Sequence, residues 1–131
     1  MSRRALSHPE LPDPPHFSRA VETTGGRTVW FAGQAPIDAR GVVVDADDMA
    51  GQADRCLSKI EAILVEAGGS MADVVSLTFF VTDIGRLREI QPVRDKFLTG
   101  PVLPALSGVE VAALAHPDWL IEIDGVAVID D

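Results

Sequence analysis

The chain has 131 residues, of which 47% are hydrophobic and 24% charged, a composition typical of one folded domain rather than of a disordered segment. The formal net charge of -9 and the scattered Arg and Lys residues argue against nucleic acid as a partner, because phosphate binding needs clustered basic side chains. No apolar run approaches the roughly 20 residues of a membrane span, and no export signal is recognisable, so we expect a cytoplasmic protein.

The first third of the chain is predicted to be extended. Residues 1–15 contain four prolines and form an N-terminal arm of the single domain 1–131. The runs 17–24 and 28–35 are β-prone and predict two strands, joined as a hairpin through Gly25-Gly26-Arg27. After a loop, residues 42–44 predict a short edge strand.

The next segment has the clearest helical pattern of the chain. Apolar side chains recur at three- and four-residue spacing from Met49 to Ala67, with Asp47 and Asp48 placed to cap the start and Gly68-Gly69 beyond the end. Cys56 lies on the apolar face, which favours a core role over that of a nucleophile. One Cys with three His offers neither a disulfide nor metal-ligand spacing, so we expect no metal.

The following segment predicts a central strand and a second helix. Residues 74–82 are apolar throughout and read as a strand on the inside of a sheet, and Asp83 can cap the helix after it. Pro92 falls in the middle of that helix, where a proline costs roughly 3 kcal/mol. The helix therefore either kinks there or restarts with Pro92 in its first turn.

The closing part of the chain predicts two more strands. Residues 104–111 and 120–124 alternate apolar with small or polar side chains. Glu122 stands between two isoleucines, and a carboxylate there must be paired, solvated by a cleft or protonated, which makes it a candidate site. The order β-β-α-β-α-β-β predicts an α+β domain with both helices on one face of a mixed sheet. Another subunit of a cyclic homo-oligomer is the simplest cover for the other face.

Short motifs follow one another after residue 15 in a consistent order and spacing. They are His16–Val21, Val29–Gln34, Gln52, Ile60–Leu64, Ala67-Gly68, Asp73–Val75, Phe97, Pro104-Ala105 and Ile121–Ala127. Together they resemble the RidA/YjgF/UK114 family, also called reactive intermediate deaminases. The resemblance implies a chorismate-mutase-like fold and a homotrimer around a β-barrel core, with small-molecule clefts between neighbouring subunits.

The resemblance also implies a class of reaction. Typical members hydrolyse imines or enamines of 2-keto acids and release ammonia without a metal or organic cofactor. In that mechanism an Arg after Pro-Ala holds the substrate carboxylate, and a Glu of the closing strand positions the attacking water. Glu122 matches that Glu, and Gly33 matches the glycine of the cleft wall.

Several positions of the implied pocket depart from the family pattern. Leu106 stands where the Arg is expected, and it supplies neither its charge nor its bidentate hydrogen bonds. Removing one partner of a buried ion pair costs roughly 3–5 kcal/mol, which is about 10²–10⁴ in rate if transition-state binding bears the loss. Phe17 replaces the usual Tyr, Gln91 the usual Asn and Gly108 the frequent Cys. We therefore expect an Arg-lacking branch, unless another cation enters the cleft from Arg19, Arg88 or Arg94.

Three functions remain to be weighed. The first is a cofactor-free hydrolase or lyase that acts on a small imine or enamine, with Glu122 as base and Leu106 favouring less acidic or larger substrates. The second is a trimer that binds a small ligand or a partner protein without converting it. An endoribonuclease, a name long attached to this family, is disfavoured by the net charge. Glu122 is equally compatible with a structural role, pairing with a backbone amide or an Arg between subunits.

Overall fold

A computed structural model describes residues 1–131 and contains six strands and two α-helices. Short 3₁₀ segments at Met71–Asp73 and Ile84–Ile90 precede β4 and α2. The elements are β1 (Ser2–Ala5), β2 (Val21–Thr24), β3 (Arg27–Gln34), α1 (Met49–Glu66), β4 (Val74–Val81), α2 (Gln91–Phe97), β5 (Ala105–Glu110) and β6 (Ile121–Ile129).

A four-stranded mixed sheet with the strand order β3-β6-β4-β5 forms the centre of the fold. Strand β6 pairs antiparallel with β3 and with β4, and β5 runs parallel to β4. Because side chains alternate along a strand, Phe79 and Ile123 are buried under the helices, whereas Phe80 and Glu122 point to the other side. The predicted architecture of two helices on a mixed sheet is confirmed.

We call the side of the sheet away from the helices the open face. Neither helix covers it, and the Trp30 side chain is 77% exposed. A depression of about 470 Å³ runs along it between β3 and β4. A tryptophan left in water on a sheet face is unusual for a protein that works as a single chain. The open face consists of Trp30, Ala32, Ser76, Thr78, Phe80, Glu122, Asp124 and Val126.

Helix α1 forms as the sequence predicts. The Asp48 side chain accepts a hydrogen bond from the Gly51 N–H, and Gly68 follows the C-terminus with a φ of 84°. Its inner face packs on the sheet, and each fully buried Leu or Ile contributes about 1.5–3 kcal/mol of hydrophobic stabilisation. Neither α1 nor α2 has the length and hydropathy that a membrane-spanning helix requires. The buried residues of α1 are Met49, Gln52, Ala53, Cys56, Leu57, Ile60 and Leu64.

The second helical region divides at the proline. Asp83 caps a 3₁₀ segment by accepting a hydrogen bond from the Gly85 N–H. The α-helix itself begins at Gln91, so Pro92 occupies the first turn, where its missing N–H removes no intrahelical bond. Of the two alternatives left by the sequence, the restart is confirmed. The predicted helix directly after Asp83 is a 3₁₀ segment instead.

The predicted hairpin between residues 17–24 and 28–35 is wrong. Strand β2 pairs antiparallel with β1 of the N-terminal arm, from Ser2 opposite Thr24 to Ala5 opposite Val21, while β3 pairs with β6. The turn between them has positive φ at both Gly25 and Gly26. The chain therefore crosses from the small two-stranded sheet into the large one at this turn. Each strand finds a partner that is distant in sequence.

The predicted edge strand at residues 42–44 is also wrong. Only an isolated bridge joins Val43 to Ile37. The Asp38 carboxylate accepts hydrogen bonds from the N–H groups of Arg40 and Val42, and it closes the loop on itself. Those amides are therefore not free to extend a sheet, and the pKa of the Asp38 carboxyl is lowered by the same two bonds.

Candidate functional site

The Glu122 carboxylate lies directly over Gly33. Strand β3 is irregular between Phe31 and Gln34, and this irregularity brings Gly33 beneath the Glu122 side chain of β6. A Cβ atom at Gly33 would overlap Oε1 of Glu122 and lie 2.9 Å from its Cδ. A side chain at position 33 would therefore displace the carboxylate from the place where the structure holds it.

Glu122 has no polar partner within its own chain. It is half-buried on the open face, opposite Phe80 in the β4–β6 pairing. No side-chain hydrogen bond or ion pair of the chain involves its carboxylate. A carboxylate held in place by packing but left without a donor is available to a group from outside the chain, such as water, a ligand or another subunit.

The loop that leads into Glu122 is held by a buried amide. The fully buried Gln52 of α1 donates from Nε2 to the Asp118 carbonyl (3.0 Å) and accepts at Oε1 from the Leu120 N–H (2.8 Å). The sequence motif contains Gln52, but its role was not predicted. The available signal was a lone amide on the apolar face of a helix.

His116 and Trp119 belong to the same loop and stabilise its turn. Their rings stack with centroids 6.2 Å apart, and the Asp118 N–H donates to Nδ1 of His116. His116 is exposed, and the indole Nε1 of Trp119 is buried without a hydrogen-bond partner. These contacts give both residues a place in the loop without bringing either to Glu122.

Leu106 and Gly108 lie on the other side of the sheet. On the edge strand β5, Leu106 pairs with Leu77 of β4, and both point toward the helices. A Cβ at Gly108 would lie 2.6 Å from Cδ2 of Leu87, so the Leu87 side chain fills the space that a larger residue would take. Leu77 and Leu87 thus lie beside the two positions where the resemblance implies Arg and Cys.

The segment with Phe17 is fixed beside the start of β5. The Ser18 N–H donates to the Pro104 carbonyl (2.9 Å), and its hydroxyl donates to the Leu103 carbonyl (2.6 Å). Phe17 and Arg19 line a small cavity of about 210 Å³ between the N-terminal arm and residues 101–103.

Gln91 joins this region through a neighbouring residue. Its Nε2 lies 2.9 Å from Nε2 of His16, the residue before Phe17. Phe17, Gln91, Leu106 and Gly108 thus lie around β5, whereas Glu122 and Gly33 lie on the open face. One chain does not bring the two groups together.

None of the three candidate arginines pairs with Glu122. The Nε of Arg19 donates to the Pro12 carbonyl, Arg88 is exposed, and the buried Nε of Arg94 has no hydrogen-bond partner. Cys56 is fully buried, and burial raises the pKa of its thiol to about 12. The thiol is therefore protonated at neutral pH, which excludes it as a nucleophile.

Comparison with known proteins gives the family. A family model described as Endoribonuclease L-PSP matches residues 11–129. A crystal structure of YyfB from Yersinia pestis, a protein of unknown function of the conserved Rid family, superposes with a TM-score of 0.87 and 36% identity over 98% of this chain and 100% of that chain. This chain belongs to the RidA/YjgF/UK114, or Rid, family. The prediction from sequence is confirmed.

Two further relatives show how similar the chain is to known proteins. Protein DfrA of Myxococcus xanthus is 31% identical over 129 residues, which cover 98% of this chain and 97% of that protein. The 2-iminobutanoate/2-iminopropanoate deaminase of Salmonella typhimurium is 36% identical over 105 residues, which cover 79% of this chain and 80% of that enzyme. Similarity to both a named deaminase and a Rid protein of unknown function leaves the substrate to be argued from the site.

Proposed function

We propose that this Rid protein is a homotrimer that hydrolyses a small imine or enamine in clefts between subunits. The observation that carries the proposal is the Glu122 carboxylate, which is fixed against Gly33 and has no partner in its own chain. Cofactor-free hydrolysis of a C=N bond requires a group that orients water and moves its proton. Glu122 is the carboxylate of this sheet best suited to that role.

The separation of the two groups of residues supports an oligomer, and the resemblance to the family favours the trimer among the possible oligomers. Glu122 and Leu106 point to opposite sides of one sheet, so a single cleft that contains both requires two copies of the chain. The exposed Trp30 and the uncovered open face supply apolar surface for such an assembly. Glu122 and Gly33 of one subunit would then face the β5 region of its neighbour.

The proposed reaction is hydrolytic deamination. Water adds to the imine carbon while Glu122 accepts one of its protons, and the resulting carbinolamine carries the new hydroxyl group. Glu122 returns that proton to the nitrogen. It then takes the proton of the new hydroxyl group and passes it to the nitrogen as the C–N bond breaks, which releases ammonia and a carbonyl product. An enamine enters the same sequence after protonation at carbon gives its imine. No electron leaves or enters the substrate, so the balance needs only water.

The substrate we propose lacks the carboxylate that typical members bind. Leu106 offers no charge, and Leu87 covers Gly108 with further apolar surface. A net charge of -9 also repels anions. A neutral imine or enamine, or one with a larger apolar group, fits such a wall better than a 2-imino acid does. The apolar surface of Leu106 and Leu87 also favours the second candidate, a trimer that binds such a ligand without converting it.

One experiment separates the two candidates. A flavin amine oxidase acting on butylamine supplies a neutral imine in situ, and an amino-acid oxidase supplies 2-iminobutanoate; imine decay is followed with and without protein. We expect acceleration for the neutral imine that Glu122→Gln abolishes, while Glu61→Gln on the exposed side of α1 leaves it unchanged. Leu106→Arg should raise the rate for 2-iminobutanoate.

The outcomes that contradict the proposal are equally definite. Equal decay of both imines with and without protein would exclude the hydrolase and leave the binding trimer, which saturable binding of butan-2-one would support. Light scattering gives the mass of the assembly in solution. A monomer would remove the shared cleft and, with it, both candidates.

A further inference from the structure

A polar chain of three side chains lies beside the proposed pocket. His16 precedes Phe17, and its Nε2 lies 2.9 Å from Nε2 of Gln91 in the first turn of α2. On the other side of the ring, Nδ1 of His16 lies 3.9 Å from Oδ1 of Asp95, which is one turn further along α2. His16 is thus placed between an amide and a carboxylate.

The Gln91 amide is placed with its nitrogen toward Nε2 of His16. The amide nitrogen of Gln91 can only donate, so Nε2 of His16 must accept and is unprotonated. The proton of the neutral ring is therefore on Nδ1, which faces Asp95. The amide oxygen of Gln91 takes part in no hydrogen bond of the chain and is left as a free acceptor.

We propose that His16 is a positioning residue whose protonation decides which end of the Gln91 amide is offered to the ligand. A protonated ring carries N–H groups on both nitrogens, and two N–H donors cannot face each other at hydrogen-bond distance. The Gln91 amide must then turn over, so that its oxygen accepts from His16 and its NH₂ group becomes free. Nothing is transferred except the proton that His16 takes from solvent.

The consequence for the ligand follows from hydrogen-bond polarity and rests on the proposed function. With neutral His16, Gln91 offers an acceptor, which suits the N–H of an imine or enamine. With charged His16, it offers a donor, which suits the oxygen of the carbonyl product. Imidazole is the side chain that changes charge between about pH 5 and 8, so the preference would change within the physiological range.

The surroundings allow this response. The His16 side chain is 39% exposed, so protons reach it, and Asp95 is the one charged side chain within ion-pair distance of the ring. The Asp95 side chain is itself 57% exposed, so solvent and salt screen its charge. The Ser18 bonds to the carbonyls of Pro104 and Leu103 anchor the backbone two residues away, so His16 stays in place when Gln91 turns.

NMR of the full-length protein tests the inference without any substrate. Long-range ¹H–¹⁵N spectra at high pH should show His16 protonated on Nδ1 and not on Nε2. The side-chain NH₂ signals of Gln91 should then shift with the midpoint of the His16 titration. His16→Gln keeps a polar partner but cannot titrate, so it should abolish the shift, while His116→Gln should leave it intact. An Nε2–H ring at high pH, or Gln91 signals that ignore the His16 titration, would overturn the inference.

Butan-2-one is the ligand probe, because it is a neutral carbonyl whose own charge does not change with pH. Its binding should be about fivefold tighter below the His16 midpoint than above it, the worth of one neutral hydrogen bond. His16→Gln should bind it equally at both pH values, and a pH response retained in that variant would refute the role of His16. Failure of imine hydrolysis would contradict the proposed function but not the inference about His16, because the NMR result does not depend on turnover.

Discussion

Replacing Gly33 with alanine puts a methyl group where the structure holds the Glu122 carboxylate. The added Cβ would overlap Oε1 and lie 2.9 Å from Cδ of Glu122. Ordinary carbon–carbon contact begins near 3.5 Å, so Cδ must retreat by roughly 0.6 Å and Oε1 by more. The atoms that move are the far end of a flexible side chain, and the backbone of β3 can stay in place.

The effects on stability and on activity should therefore separate. Glu122 has no intrachain hydrogen bond to lose. Gly33 lies outside the left-handed region, so alanine there lowers the conformational entropy of the unfolded chain, which stabilises the folded state by about 0.4–1 kcal/mol. We expect the free energy of unfolding of Gly33→Ala to stay within about 1 kcal/mol of the parent. A catalytic group misplaced by about 1 Å costs on the order of 10² in rate, so imine hydrolysis should fall roughly 10- to 100-fold.

The measurements are urea unfolding and the initial rate of imine decay, each in two backgrounds. In Glu122→Ala the carboxylate is absent, so Gly33→Ala should leave the rate of imine decay unchanged there and should change the free energy of unfolding only by the effect on the unfolded chain, about 0.4–1 kcal/mol. An unchanged rate in Gly33→Ala would refute the idea that the position of Glu122 matters. A fall in the free energy of unfolding of more than about 1 kcal/mol in the Glu122→Ala background would show that alanine acts on something other than the carboxylate.

Three further predictions concern Gly125, Gln52 and Cys56, which pack closely against their neighbours. Gly125→Ala should lower the free energy of unfolding by more than about 2 kcal/mol, because its Cβ would strike the Ser76 carbonyl and lie 2.8 Å from Leu77 Cδ2; a urea midpoint like that of Gly33→Ala would contradict this. Gln52→Leu should cost about 1–3 kcal/mol and speed hydrogen exchange at the Leu120 amide, whereas Ser58→Ala on the same helix should leave that exchange unchanged. Cys56, whose thiol pKa of about 12 keeps it protonated at pH 8, should react with a thiol reagent only in step with urea unfolding; fast labelling of the native protein would refute this.

Local pattern predicted those elements whose stabilising contacts are also local. The α1 cap at Asp48, the apolar stripe of α1 and the restart at Pro92 all depend on residues within one or two turns of each other. Glu122 was found because a carboxylate among isoleucines stands out in one strand. The uncovered side of the sheet was predicted because the central strands are apolar on both faces.

The structural features that the sequence did not predict depend on contacts that the local pattern does not show. The supposed hairpin is broken because Val21–Thr24 pairs with Ser2–Ala5, in an arm whose prolines suggested no strand. The Asp38 carboxylate accepts hydrogen bonds from the amides of Arg40 and Val42, and β-propensity does not take such a contact into account. The hydrogen bond of Gln52 to Asp118 and the contact of His16 with Gln91 join residues more than 60 positions apart. No periodicity encodes such contacts.

The placement of Leu106 and Glu122 on opposite sides of one sheet bears on how such a protein diversifies. Packing around Leu106 involves Leu77 and the helices, whereas Glu122 lies against Gly33. Substitutions without shared neighbours have nearly independent energetic effects, so a mutation at position 106 leaves the environment of the carboxylate in the same chain intact. Under the proposed function, lineages can therefore exchange the residue at position 106 that selects the substrate's charge while inheriting the carboxylate unchanged, and new specificities become accessible through single mutations.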